Sequence, residues 1–242
     1  MADALFIGAH PDDTELFAGG LMASLAARGH SVVLADATAG EFGTRGTVEE
    51  RAAEGAEAAR ILGVRRICLQ LRDGSVGADI PAAVRAVVTA IREHRPRLVV
   101  THAPGDHHPD HNAISTAVKQ AFFMSNVLNY VTSQERFAPQ RLLHFWGHRH
   151  RVPDQPAFVA DISAHYETKI ASLRAHQSQF HNPAYEAPKT FVSSEAFWQA
   201  VEARAAYYGS LIGVRYAEAF LCETTLRVDD PFTLPDLAGE QA

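Results

Sequence analysis

The sequence predicts an α/β fold with a mostly parallel sheet flanked by helices and a less regular C-terminal part. Three observations lead there. Short apolar runs alternate with helix-patterned runs through the first half. The loops between them are short, which implies right-handed βαβ crossovers. The helical runs also carry start and stop signals at their ends.

The elements follow in order. Ala4 to Ala9 reads as a strand, and Leu16 to Arg28 as a helix ending near Gly29. Ser31 to Ala37 is a second strand. Thr47-Val48-Glu49-Glu50 has the form of a capping box, and the helix it opens runs to about Leu62, with Gly63 as C-cap. Arg65 to Gln70 is a third strand, Pro81 to His94 a third helix, and Arg97 to Thr101 a fourth strand. In the second half, Asn112 to Met124, Ser163 to Gln179 and Ser194 to Tyr208 read as helices. Arg141 to Trp146, Phe158 to Ile162 and Val214 to Leu221 read as extended, and the proline-bearing stretches Val152–Pro156 and His181–Lys189 as loops. In open parallel sheets, ligands bind outside the carboxyl ends of the strands. The loops beginning near His10, Thr38, Leu71 and His102 are therefore expected to border one crevice.

Composition bounds the function. The chain has 242 residues, and its net charge of -6 comes from interspersed signs rather than a basic stripe, which argues against nucleic acid as a partner. No apolar run is long enough to span a bilayer, and no basic segment precedes the first strand, so the expected place is the cytoplasm. The two cysteines, Cys68 and Cys222, lie in apolar runs and read as buried thiols without a disulfide. Six of the 13 histidines fall in two clusters, His107, His108 and His111, and His144, His148 and His150.

His10-Pro11-Asp12-Asp13 follows the first strand directly. Proline disfavours a helical His10, so His10 is placed at an extended tip. One histidine and two adjacent carboxylates can supply two metal ligands and a free base. Asp106-His107-His108-Pro109-Asp110-His111 follows the fourth strand and can supply a third ligand. Three protein ligands with an open position characterise catalytic rather than structural zinc. Spacing does not decide which of Asp12 and Asp13 binds. Taken alone, the first motif is as readily an N-cap with favourable helix-dipole interactions.

Ala9-His10-Pro11-Asp12-Asp13-Thr14-Glu15, Gly19-Gly20 and His108-Pro109-Asp110-His111 together resemble the PIG-L/LmbE-like N-acetylglucosamine deacetylases. Gly46–Arg51, Lys169–Leu173, Gln177–Phe180 and Gly213–Phe220 resemble the bacillithiol-biosynthesis branch, which deacetylates N-acetylglucosaminyl-malate. Phe17-Ala18 and the loop Gly40–Arg45 depart from that branch. The resemblance covers nearly the whole chain to about residue 222. It implies one deacetylase domain over 1–242, with a Rossmann-like core over about 1–125. A part that binds substrate and forms oligomers then spans about 126–230, and a frayed tail 231–242.

The resemblance further implies Zn2+ held by His10, Asp13 and His111, with other divalent metals able to use the same set. Asp12 becomes the general base and His108 the oxyanion stabiliser or general acid. Asp110 orients a histidine, and Arg51 binds substrate. Position on the helix alone favours a surface Arg51 paired with Glu50 or Glu54. Glu15 is expected to cap the helix or accept from a histidine. Homo-oligomers are common in the family. A malate aglycone predicts a cationic pocket, for which Arg45, Arg51 and Arg72 are candidates. Two rivals remain: deacetylation of another N-acetylglucosamine conjugate, such as a chito-oligosaccharide or a mycothiol-type precursor, and a non-catalytic Rossmann-like metal- or sugar-binding module. The missing G-x-G-x-x-G after the first strand weighs against the module.

Overall fold

The computed structural model describes residues 1–147, 156–225, 227–230 and 232. The strands are β1 (Ala4–Gly8), β2 (Val32–Thr38), β3 (Arg65–Leu71), β4 (Leu98–His102), β5 (Arg141–Phe145), β6 (Phe158–Asp161) and β7 (Ala217–Leu221). Among the described residues they form one seven-stranded sheet in the order β3-β2-β1-β4-β5-β7-β6. The first five run parallel. β7 is antiparallel to both β5 and β6, so the predicted last strand enters the sheet reversed, between them, and β6 forms the edge.

The helices are α1 (Asp13–Ala27), α2 (Val48–Leu62), α3 (Ile80–His94), α4 (Pro109–Met124), α5 (Tyr166–Ala175) and α6 (Glu195–Leu211). The period-two alternation of the strands divides the core. Leu5, Ile7, Val33 and Val99 pack with Val87, Ile91, Ile114 and Val118 of α3 and α4. Phe6, Leu34, Phe145 and Phe220 pack on the other face with Phe17, Leu173 and Phe197 of α1, α5 and α6. Each fully buried side chain of this kind contributes about 1.5–3 kcal/mol. No helix among the described residues is long and apolar enough to cross a membrane.

Local signals placed α2 well. Thr47 and Glu50 form the reciprocal capping box, and Gly63 ends the helix at φ 71°. The expectation for α5 was too long. A short 3-10 turn at Ser163–His165 precedes it, and the helix stops at Ala175. His176 leaves helical geometry, and its ring donates from Nε2 to Glu15 Oε1 at 2.9 Å. Cys68 and Cys222 are free but only partly buried: Cys68 lies on the edge strand β3, and Cys222 just past the end of β7. The predicted loop Val152–Pro156 falls, except for Pro156, outside the described residues. So do His148, His150 and nearly all of the tail 231–242.

The Gly19-Gly20 motif is explained by packing. A β-carbon on Gly20 would lie 2.7 Å from Ile162, so glycine lets α1 approach the chain before α5. The Gly20 and Leu21 amides donate to Glu218, which also pairs with Lys169 at 2.6 Å. β1 lies between β2 and β4. The crossovers from β1 and β4 therefore diverge, and a crevice opens outside the carboxyl ends of these two strands.

Candidate metal centre and catalytic site

Both histidine motifs open at this switch point. His10-Pro11-Asp12-Asp13 leads from β1 into α1, and Asp106 to His111 leads from β4 into α4. A cavity of about 460 Å³ lies over them, lined by His10, Asp12, Asp13, Arg51, His108 and His111 among others.

Asp13 is the hub. Its Oδ2 is 3.3 Å from His10 Nδ1, and its Oδ1 is 3.3 Å from His111 Nε2. His10 N donates to Asp13 Oδ2 at 2.8 Å, which closes the turn on itself. Among the described residues, three groups bring ligand atoms within 4.8 Å of one another: His10, His108 and His111; Asp13, His102 and His111; and His10, Asp73 and Asp110. His102 is poorly suited to ligation, because its Nε2 already accepts from Ala9 N at 3.0 Å. Burial, then the charge of His111, lowers its pKa to about 4 and keeps the ring neutral.

The electrostatics fit a cation. Burial would lower the pKa of His10, but contacts with Asp110, Asp13 and Asp73 raise it well above 6.5. Burial likewise opposes protonation of His111, yet Asp13 and Asp106 bring its pKa to about 9. Burial would raise Asp13, and His111, His102 and His10 instead hold it well below the ordinary range. Protons on these imidazoles balance buried carboxylates, and a divalent ion could replace them. Two imidazoles and one carboxylate form a donor set suited to zinc and to several other divalent metals.

Asp12 stands apart from this cluster. It begins α1 but makes no side-chain capping bond, so the N-cap expectation is not realised. Its φ is 106°, a region rarely occupied by residues with a β-carbon. Burial, opposed by Arg51 and assisted by Asp13, pushes its carboxyl up to about 6. Arg51 is not a surface residue. It is 4% exposed, donates to Gly40 O at 2.7 Å and Pro11 O at 2.9 Å, and lies 3.6 Å from Asp12.

His108 is the N-cap of α4, where its Nδ1 accepts from Asp110 N at 3.2 Å. Accepting there leaves Nε2 to carry the proton. Burial, then His10 and His111, lowers its pKa. Both effects favour the neutral ring, which retains one N–H donor. Asp110 accepts from Gly74 N and Val76 N at 2.7 and 3.2 Å, and its Oδ2 is 3.6 Å from His10 Nε2. It thereby ties the loop after β3 to α4.

Sequence reasoning missed Asp73, Asp106 and His102 as site residues. His10 Nε2 donates to Asp73 Oδ1 at 3.1 Å, and Asp106 Oδ1 lies 3.2 Å from His111 Nδ1. Asp73 offered no local signal beyond following the third strand. Asp106 stood inside the quoted motif and could have been found there. Glu15 accepts from His176, which is not a candidate ligand, and from Arg66 at 2.5 Å. Of the three candidate cations, Arg51 lines the cavity. Arg45 points away and donates to Ser178 O and Pro188 O, while Arg72 lies over the Phe42 ring.

Residues 5–122 match the family described as PIG-L: GlcNAc-PI de-N-acetylase. The chain is 29% identical to a diacetylchitobiose deacetylase of Thermococcus kodakarensis, covering 88% of this chain and 80% of that one. It is 30% identical to the 1D-myo-inositol 2-acetamido-2-deoxy-alpha-D-glucopyranoside deacetylase of Mycobacteroides abscessus, covering 72% and 80%. The structure resembles the conserved protein TT1542 from Thermus thermophilus with a TM-score of 0.83 and 36% identity, covering 94% of this chain and 98% of that one. The chain belongs to the PIG-L, LmbE-like family of deacetylases, hydrolases that act on amide bonds.

Proposed function

We propose that this protein is a zinc-dependent deacetylase of N-acetylglucosamine conjugates. One observation carries the reading: His10 and His111 each lie 3.3 Å from Asp13, through different carboxylate oxygens, and all three line the cavity together with Asp12. His10, Asp13 and His111 are assigned as the metal ligands and Asp12 as the general base.

Zinc supplies Lewis acidity, polarising an amide carbonyl and lowering the pKa of a water. Asp12 takes the proton from the water that attacks the carbonyl carbon. The His108 Nε2–H donates to the developing oxyanion. Collapse breaks the C–N bond, and the sugar amine takes the proton held by Asp12 as acetate leaves. Asp110 holds the backbone that presents His108, and Arg51 holds the turn that presents Asp12 and lines the substrate cavity.

The lining favours a neutral aglycone, such as a second sugar or an inositol. Phe42, Phe180, Phe191 and Val192 line the cavity, and Arg51 is already committed to two carbonyls and to Asp12. The relatives named for diacetylchitobiose and for an inositol glycoside support the same choice. N-acetylglucosaminyl-malate is the second reading, supported by the resemblance of Gly46–Arg51, Lys169–Leu173, Gln177–Phe180 and Gly213–Phe220. Lys169 and Glu218 of those segments form a buried pair behind α1.

Zinc content of the purified protein, measured with amine release from diacetylchitobiose, the inositol conjugate and the malate conjugate, tests both levels. Zinc-dependent release, fastest from the neutral conjugates, is expected. Preference for malate would overturn the neutral aglycone. A metal-free protein releasing nothing from the panel would overturn the deacetylase.

A further inference from the structure

Asp106 is a buried carboxylate that the proposed reaction leaves without a task. Its side chain is 2% exposed, in the loop between β4 and α4. Its Oδ1 lies 3.2 Å from His111 Nδ1 and accepts from His108 N at 2.9 Å. The same oxygen is 2.9 Å from the half-exposed ring of His107. The opposite nitrogen of His111, Nε2, faces Asp13 at 3.3 Å. The His111 ring thus spans two carboxylates, one at each nitrogen. Asp13 is on the metal side and Asp106 is behind.

The surroundings are shaped to keep Asp106 there. A β-carbon on Gly147 would collide with Asp106 Oδ2, so glycine at that position makes room for the carboxylate. Oδ2 has no hydrogen-bond partner among the described residues. The strand end carrying Gly147 is fixed in turn by α6: Arg204 donates to Trp146 O and Gly147 O at 3.2 Å each. An unbroken line runs from α6 through Gly147 and Asp106 to His111.

We infer that Asp106 is the positioning residue for His111, and that Gly147 is glycine to admit it. His111 Nδ1 makes no hydrogen bond of good geometry among the described residues, and the Asp106 carboxylate 3.2 Å away favours a proton there, the tautomer in which the Nε2 lone pair faces Asp13 and the metal. Metal-binding imidazoles commonly hand their second N–H to a carboxylate, and losing that partner typically weakens metal binding about 10- to 100-fold. The inference rests on the zinc reading above. Its rival is a purely structural role, with Asp106 capping the loop through His108 N.

Zinc affinity by chelator competition, the visible spectrum of the cobalt(II) form and melting of the metal-free protein separate the two. Asp106→Leu is expected to weaken zinc about 10- to 100-fold and alter the cobalt bands, with Asp106→Asn recovering part of the loss. Gly147→Ala is expected to weaken zinc in the same direction by displacing the carboxylate. Asp106→Leu that melts lower but binds zinc within about threefold of the native protein would overturn the inference and leave the metal site standing. If Asp106→Leu does not fold, Gly147→Ala decides alone: native zinc affinity there overturns the inference. A native protein without zinc affinity would overturn the site and the inference together.

Discussion

Arg51 Nη2 lies 3.6 Å from Asp12 Oδ2, and the same guanidinium donates to the carbonyls of Pro11 and Gly40. It pins a turn in which Asp12 holds a φ of 106°. A conformation of that kind persists when its surroundings over-determine it. Arg51→Met is expected to lower kcat about 100-fold with zinc content unchanged, because a displacement of about 1 Å at the reacting group costs that much. Steady-state kinetics beside metal analysis checks this. A native kcat would mean that the turn holds without its clamp.

Asp12→Asn separates base from ligand. Zinc is expected to stay at native stoichiometry while turnover falls about 100- to 10,000-fold, the usual weight of general-base catalysis. His111→Ala is expected to lose the metal itself. Loss of zinc from Asp12→Asn would exchange the roles given to Asp12 and Asp13.

Arg66 joins two buried carboxylates beneath the site, donating to Glu15 at 2.5 Å and to Asp36 at 2.6 and 2.7 Å. Removing the cation strips Asp36 of its ion pair and leaves Glu15 to His176 and Thr14. Arg66→Met is expected to destabilise the fold by about 3–5 kcal/mol in urea unfolding. Adding Asp36→Asn should recover part of that loss, and purely additive effects would deny the coupling.

Stability should fall with acidification partly through His94, whose Nδ1 accepts from Arg65 at 2.8 Å. Burial, and then Arg65, lowers its pKa in the folded protein. Below the ordinary value of about 6.5, the unfolded chain therefore binds more protons than the folded one. This contribution is fully present above that pH and is lost as pH falls from there through the lower folded-state value. Melting at pH 8 and pH 5.5 should show a smaller drop for His94→Gln than for the native protein. Equal drops would remove His94 from the account.

Phe42 is 63% exposed, lines the cavity and packs against Gly74. An aromatic face covering a sugar ring removes apolar surface from water, worth about 25 cal/mol per Å². Phe42→Ala should raise KM several-fold for a disaccharide substrate and leave kcat and zinc unaltered. An unchanged KM would place the aglycone elsewhere in the cavity.

Much of the fold was legible because it is encoded locally. Alternating apolar runs gave β1 to β4, and Thr47, Glu50 and Gly63 marked both ends of α2. Helix ends that depend on tertiary partners were misjudged. α5 stops at Ala175, where His176 turns toward Glu15, a residue 161 positions away. α4 begins at Pro109, three residues earlier than Asn112, because His108 itself serves as the cap.

By itself, the sequence determined which residues are candidates for the chemistry: a His-Pro-Asp-Asp turn after one strand and a His-Pro-Asp-His run after another. Only tertiary structure decided that β1 and β4 are neighbours, and so that the two motifs share a crevice. It also decided that Arg51 is buried, that His108 is a cap, and that Asp73 and Asp106 stand behind His10 and His111. The reason is physical. Periodicity and capping act over a few residues, whereas burial, tautomer and charge are set by groups that only the folded chain brings within about 4 Å.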